Sequence, residues 1–382
     1  MARVEPEYDR EAVNRAGLIL RDVYRKPETL TDSAADAWVH AVGVVNNWRS
    51  SHAYPLNAIN MTLRSTAKRF DDGALVAQRI KRLVSISHKL DRFESMRLSQ
   101  MQDLGGCRAI LRSAALVQDL CSYYKSMSRQ KHELATIDDY VAEPKKSGYR
   151  GVHFVFRYHS DKRANRIFNG LKIEMQLRSR YQHAWATAVE TVGMFSGQAL
   201  KSSLGSAEWQ RFFSLMGSAI AMREKLPLIP HTPQTRSSLL AELAEYSKKL
   251  NVVDRLHGYR TAVRAMQAPT RSDASYFLLQ LDPTAGTLNV VGYPADRIQE
   301  AADKYAEAEQ SAARGERHDS VLVSVESVAN LARAYPNYFA DTRMFLQLLE
   351  QVLSGHSRGI AIPELHIETE PGPPQGGRGA GL

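Results

Sequence analysis

Two short runs constrain this chain more than anything else in it. In Val152–Tyr158, Val152, Phe154, Phe156 and Tyr158 alternate with His153, Val155 and Arg157. In Leu171–Arg178, Ile173, Met175 and Leu177 alternate with Lys172, Glu174, Gln176 and Arg178. Side chains alternate across a strand, so each run makes a strand with one apolar and one polar face. The polar connector Ser160–Gly170 joins them as a hairpin. One face of the resulting sheet then carries Glu174, Gln176 and Arg178, and His153 joins it if the register allows. Both signs of charge on one sheet face are costly to bury unless they are paired or hold a ligand.

The rest of the chain supplies mostly helices. Residues 9–50 have helical apolar spacing, and a second helix is expected from about Gly73 to Phe93. A short strand over Cys107–Leu111, a helix over about Ala115–Met127 and a strand over 133–138 follow. Pro144 and Gly148 then punctuate a loop. Helices are expected over Arg180–Val192, Ala207–Met222 and Ser237–Met266, with a proline-rich hinge at Leu226–Arg236. Near residue 275 the pattern changes. Tyr276–Leu281 and Thr287–Val291 flank a turn and read as a hairpin. A charged helix from Ala295 to about Ala313, a strand at Ser320–Val325 and a closing helix to Leu353 follow. From about Gly359, Pro, Gly and isolated charges predict disorder.

The net charge of +9 favours an anionic partner, and it is unevenly placed: residues 61–100 hold nine Lys/Arg against four Asp/Glu. Within that region, Lys81, Ser85 and Lys89 are spaced by four, which on a helix makes one face suited to a polyphosphate, although such a row taken alone is more often a solvated helix face. Arg79 lies just before them. Asp103 precedes Leu104-Gly105-Gly106-Cys107-Arg108, at the mouth of the expected strand. There a carboxylate has the chemistry of a Mg²⁺ ligand, although capping the turn would equally account for it. The segment Asp139–His153 offers Tyr149 for stacking on a base and Lys145 and His153 for its phosphates, although an ordinary turn leading into a strand would equally account for it. No run of about 18 apolar residues predicts a membrane span. The two cysteines, Cys107 and Cys121, are too few for a disulfide framework, so a cytoplasmic location is expected.

Four blocks occur in order: R-x-K-x₃-S-x₃-K from Arg79, D-L-x-G-x-R from Asp103, D-Y-x₃-P-K-x-x-G-Y-x-x-x-H from Asp139, and E-x-Q-x-R from Glu174. Together they resemble the synthetase domain of RelA/SpoT alarmone enzymes, over roughly residues 60–195. The resemblance implies an α+β fold, a nucleotidyltransferase-like mixed β-sheet wrapped by helices, here followed by a small C-terminal α/β domain. The organisation expected is a helical region at 1–58, the synthetase domain at 59–200 and a helical extension at 201–267. The C-terminal domain is placed at 268–356 and a disordered tail at 357–382.

The activity implied is Mg²⁺-dependent transfer of pyrophosphate from ATP to the 3′-hydroxyl of GDP or GTP. Carried over by motif, Arg79 would contact adenine, Lys81, Ser85 and Lys89 the ATP phosphates, and Arg108 would support that pocket. Asp103 would hold Mg²⁺, with Glu174 as second ligand or as base. Tyr149 would stack on the acceptor base, with Lys145, His153, Gln176 and Arg178 around it. Ser147 stands where the family's loop usually has Asn. The helix from Tyr181, with His183, Trp185 and Glu190, is similar to that of small stand-alone synthetases and their toxin relatives, and Glu190 would orient the phosphate-binding cations. An alternative acceptor is therefore the 3′ end of tRNA, or an adenine nucleotide. The C-terminal domain would then restrain the synthetase or meet an antitoxin or phage protein. A nucleotide- or RNA-binding module without activity is the third reading. An oligomer is compatible with the sequence. Only about 60–75 residues precede the synthetase blocks, so a hydrolase domain is not expected, and the lone His318-Asp319 pair does not replace one.

Overall fold

A computed structural model describes residues 3–26, 32–126, 131–195, 206–266, 275–282, 287–297, 319–324, 342–354 and 366–368, with five positions between 300 and 307. The chain divides into two compact units. The first comprises Met1–Glu143 with Arg150–Arg180, the second Pro144–Tyr149 with Tyr181–Leu382.

The first unit is built on a five-stranded sheet of β1 (Leu75–Ile80), β2 (Gly105–Leu111), β3 (Glu133–Asp139), β4 (Val152–Arg157) and β5 (Lys172–Ser179), ordered β1-β2-β5-β4-β3. Only the β2–β5 pair of this sheet is parallel, so the sheet is mixed and the fold α+β. The alternation read from the sequence sorts its two faces. Cys107, Ala109, Leu111, Phe154, Phe156, Ile173, Met175 and Leu177 are buried on one side. Burying one of the Leu, Ile, Phe or Met side chains among them stabilises by about 1.5–3 kcal/mol relative to exposure. Helices α3 (Ala53–Phe70) and α5 (Ala114–Ser126) pack on the sheet. A Cβ on Gly105 would lie 2.8 Å from Ile173 Cδ1 and 3.3 Å from His52 Cβ, so glycine lets α3 approach closely.

Helices α1 (Arg10–Arg25), α2 (Asp32–Ser51) and α4 (Leu83–Arg92) complete this unit. Asp9 starts α1 by accepting a hydrogen bond from Ala12 N at 2.8 Å. Ile86 and Leu90 of α4 join Val13, Ala16 and Leu20 of α1 in one apolar cluster. The helix expected over Gly73–Phe93 is thus corrected. Its first part is the edge strand β1, paired antiparallel with β2, and only Leu83–Arg92 is helical.

In the second unit, α6 (Arg180–Phe195, whose first residue belongs to the other unit), α7 (Ala207–Glu224), α8 (Arg236–Lys249), α9 (Val252–Met266) and α10 (Arg343–Ser354) contribute to one apolar core. The single helix expected over Ser237–Met266 is two, broken at Asn251, whose φ of +48° is left-handed. Asn tolerates that conformation better than other side chains. A four-stranded sheet contains β6 (Tyr276–Asp282), β7 (Thr287–Tyr293), β8 (Asp319–Ser324) and β9 (His366–Glu368), ordered β8-β6-β7-β9. Strand β9 lies within the stretch expected to be disordered and pairs parallel with β7. Of the helix expected from Ala295, Ala295–Arg297 is a 3₁₀ turn and most of the rest lies outside the described residues.

The loop Pro144–Tyr149 is seated on α7. Ser214 Oγ donates to Lys146 O at 2.8 Å, and Gly148 has φ +95°. A Cβ there would lie 2.7 Å from Phe213 O and 2.9 Å from the Trp185 ring. Both backbone strain and overpacking therefore oppose a side chain at this position. Gly148→Ala is expected to cost about 2–4 kcal/mol, read as a lower urea midpoint of unfolding. An unchanged midpoint would contradict this seating.

Candidate active site

The charged cluster of the first unit begins where β1 ends. Lys81 N donates to Leu104 O at 2.8 Å, and Arg49 of α2 donates to Lys81 O at 3.2 Å, so the backbone of Lys81 is held from two sides. One helical stretch later, the burial of Ile86 and Leu90 fixes α4 so that Lys89 reaches the same carboxylate. Lys81 Nζ lies 2.7 Å from Asp103 Oδ2 and Lys89 Nζ 2.9 Å from Asp103 Oδ1. Asp103 sits two residues before β2. One anion between two ammonium groups leaves an excess positive charge, as a phosphate-binding site requires.

The polar sheet face carries a second set of candidates. Register sets Arg79 opposite Gly106, Gly106 opposite Glu174, Arg108 opposite Gln176 and His153 opposite Gln176. All of these therefore share one face. A Cβ on Gly106 would meet nothing nearer than Glu174, at 3.9 Å. Glu174 Oε1 is 2.9 Å from His153 Nδ1, and Glu174 Oε2 accepts from Gln176 Nε2 at 2.7 Å. Gln176 Oε1 in turn accepts from Arg178 at 3.0 Å. Arg178 and Arg108 are buried, at 2% and 8% exposure.

Residues 78–194 match the family model for the region found in RelA / SpoT proteins. The chain carries a RelA/SpoT region. Among solved structures it is similar to small alarmone synthetase 1 from Bacillus subtilis bound to its product pppGpp. That match has 21% identity, covers 46% of this chain and 89% of the other, and has a TM-score of 0.39. A GTP pyrophosphokinase family protein from Streptococcus pneumoniae matches at 19% identity, with 47% and 89% covered and a TM-score of 0.39. Small alarmone synthetase 2 from Bacillus subtilis matches at 18% identity, with 47% and 92% covered and a TM-score of 0.39. No curated protein matches the chain significantly.

Within the RelA/SpoT region, both acidic groups are held ionised. Burial pushes the Asp103 carboxyl up, but Lys81 and Lys89 more than reverse this and hold it well below the usual carboxylate range. Burial likewise raises Glu174, the hydrogen bonds from His153 and Gln176 bring it below its ordinary value, and the charge of Asp103 opposes them. Burial lowers Lys81, partly offset by Asp103. Cys107 points to the other sheet face, and burial with the nearby charge of Glu174 pushes its thiol up, so it is not an activated nucleophile. Among the described residues, no group of three or more His, Cys, Asp or Glu could hold a metal ion. Two ionised carboxylates are nevertheless the oxygen donor set that suits Mg²⁺, which completes its shell with waters and substrate phosphates.

The placement of the sequence candidates is uneven. Lys81, Lys89 and Asp103 come together, as do His153, Glu174, Gln176 and Arg178. Arg79 and Arg108 share the polar face with the second group. Ser85 and Lys89 lie four apart on α4, but Lys81 precedes that helix, so the three-residue helical row is corrected. Lys145 and Tyr149 belong to the second unit, where Lys145 Nζ lies 5.5 Å from the centre of the Tyr149 ring and Tyr149 meets Trp185 edge-on. Trp185 Nε1 donates to Phe213 O at 2.9 Å, and Glu190 also lies on α6 in that unit. Two supporting residues have no role in the sequence reading: Arg49, and Tyr140, which belongs to the third block and whose ring stands edge-on to His153 at 5.4 Å. Arg49 is 32 positions from Lys81 and carries no local signal. No helix among the described residues is long and apolar enough to cross a membrane.

Proposed function

We propose that the protein is a Mg²⁺-dependent pyrophosphokinase that transfers the β,γ-pyrophosphate of ATP to the 3′-hydroxyl of GDP or GTP, giving a (p)ppGpp-type alarmone. The observation that carries this reading is the Lys81–Asp103–Lys89 cluster, whose carboxylate acts electrostatically on Glu174. Two lysines exceed the charge of the one carboxylate between them and can turn to the β- and γ-phosphates. In this reading Arg79 contacts the adenine, Ser85 adds a hydroxyl to the phosphate site and Arg108 supports it from the sheet. Asp103 and Glu174 would hold the Mg²⁺, which would supply charge neutralisation on the phosphates.

The 3′-oxygen forms a bond to the β-phosphorus while the bond from that phosphorus to the α,β-bridging oxygen breaks. AMP leaves with the bridging oxygen, and Glu174 receives the hydroxyl proton. Such a transfer depends on alignment and charge neutralisation more than on covalent catalysis. Gln176 and Arg178 are assigned to the acceptor.

The test is transfer of label from ATP labelled in its γ-phosphate, with Mg²⁺, to GDP, GTP, ATP or deacylated tRNA offered separately. Labelled guanosine product with stoichiometric AMP is expected. Label on tRNA and on no free nucleotide would overturn the choice of acceptor. ATP binding without transfer to any acceptor would overturn the enzymatic reading.

A further inference from the structure

The hydrogen-bond pattern around Glu174 has only one consistent set of donors. An ionised carboxylate accepts and does not donate, and a guanidinium donates and does not accept. Arg178 at 3.0 Å therefore requires the oxygen of the Gln176 amide on its side, which turns the amide nitrogen toward Glu174 Oε2 at 2.7 Å. The same reasoning at the other oxygen requires a proton on His153 Nδ1, 2.9 Å from Glu174 Oε1. The donors run from Arg178 through Gln176 to Glu174, and from His153 to Glu174. Each oxygen of the carboxylate is held by a different strand, β5 on one side and β4 on the other.

The register makes this contact specific. His153 is directly opposite Gln176, and Glu174 is directly opposite Val155. His153 thus reaches its diagonal neighbour, with the nitrogen nearer the backbone, while Tyr140 stands edge-on to the ring. The carboxylate is fixed from both sides within the sheet before any substrate is present.

We infer that His153 is a positioning residue for Glu174 and that, with Gln176 and Arg178, it forms a relay which sets the orientation of that carboxylate. This deepens the pyrophosphokinase reading and rests on it. It also changes the role of His153, which the family resemblance placed around the acceptor.

Two substitutions separate the roles, because asparagine carries its amide nitrogen near the position of Nδ1 and glutamine near that of Nε2. Under the relay, His153→Asn retains kcat to within about 5-fold of wild type. His153→Gln loses about 10²-fold in kcat, with the acceptor KM little changed, as for other losses of a partner that orients a catalytic group. The reverse order, with His153→Gln active and His153→Asn not, overturns the inference. So does a loss confined to the acceptor KM. A second readout does not depend on activity. In protein labelled with ¹⁵N-histidine at pH 8, the His153 signal, found by its absence from His153→Asn, is expected to show the Nδ1-protonated tautomer and to lose it in Glu174→Ala. An Nε2-protonated tautomer in the wild type overturns the relay. A Glu174-dependent Nδ1 signal in a protein that transfers no label supports the relay and overturns the proposed reaction instead.

Discussion

Asp103→Asn is expected to lower kcat for pyrophosphate transfer by about 10³-fold, which at 1.36 kcal/mol per decade is roughly 4 kcal/mol of transition-state stabilisation. The size follows from the place of this side chain. Its two oxygens accept from Lys81 at 2.7 Å and Lys89 at 2.9 Å. An amide can accept from one lysine only through its oxygen, and it turns an N–H toward the other. The variant loses the charge that balances two ammonium groups and one of the two carboxylates assigned to the metal. A second consequence is readable without substrate. The pKa of Asp103 in the folded protein lies below its unfolded value, so its contribution to stability is complete above the ordinary carboxylate range near pH 4 and is lost as pH falls through the depressed folded value. The stability gap between wild type and Asp103→Asn, measured by urea unfolding, should therefore be widest near neutrality and shrink in acid. An Asn variant with full transfer activity would remove Asp103 from the site.

The sheet was most legible where one strand carries its own evidence. Strands β4 and β5 alternate cleanly, and the expected hairpin is present, with a 3₁₀ segment at Arg163–Phe168 inside its connector. The edge strand β1 was not legible. Leu75, Val76, Ile80, Leu83, Ile86 and Leu90 also satisfy a helical apolar spacing, and the four-residue steps from Lys81 to Lys89 strengthen that impression. What makes Leu75–Ile80 a strand is its pairing with β2, about 30 residues onward, and local periodicity carries no trace of such pairing. The break between α8 and α9 was hidden for another reason. It occurs at Asn251 rather than at a glycine or proline, so the usual punctuation is absent. Strand β9 is only three residues long, and it borrows its order from β7.

The site divides along the same line. Glu174, Gln176 and Arg178 share a strand face by counting twos, and that was visible from the residues alone. The meeting of Lys81, Lys89 and Asp103 was not, because it depends on a turn after β1, the anchoring of α4 by Ile86 and Leu90, and the entry to β2. Motif resemblance put those three into one phosphate and metal site, and the structure joins the three side chains in ion pairs. Resemblance could not show which atoms of the acceptor-side residues point where. The contact of His153 with Glu174 depends on a diagonal register, and the sequence leaves that register open.

Glu174→Gln is expected to match the Asp103 loss, at about 10³-fold in kcat, while changing the KM for ATP by much less. The substitution removes the proton acceptor and one assigned metal ligand, and it also disturbs the relay. The glutamine amide that replaces the carboxylate has one oxygen for two donors, His153 and the Gln176 amide, so an N–H must face one of them. A compatible pattern then needs either a shift of the His153 proton to Nε2, so that Nδ1 accepts from the new amide, or a flip of Gln176, which sets its amide N–H groups against Arg178, which can only donate. Glu174→Asp keeps the charge but withdraws it by one methylene, and should fall between wild type and Glu174→Gln, because the sheet fixes His153 and Gln176 and neither can follow. Kinetics of the Gln and Asp variants on one acceptor, with AMP release as a second measure, distinguish charge from position. A Gln variant as active as wild type would show that the reaction does not pass through this carboxylate, and equal losses in Asp and Gln would show that placement matters as much as charge.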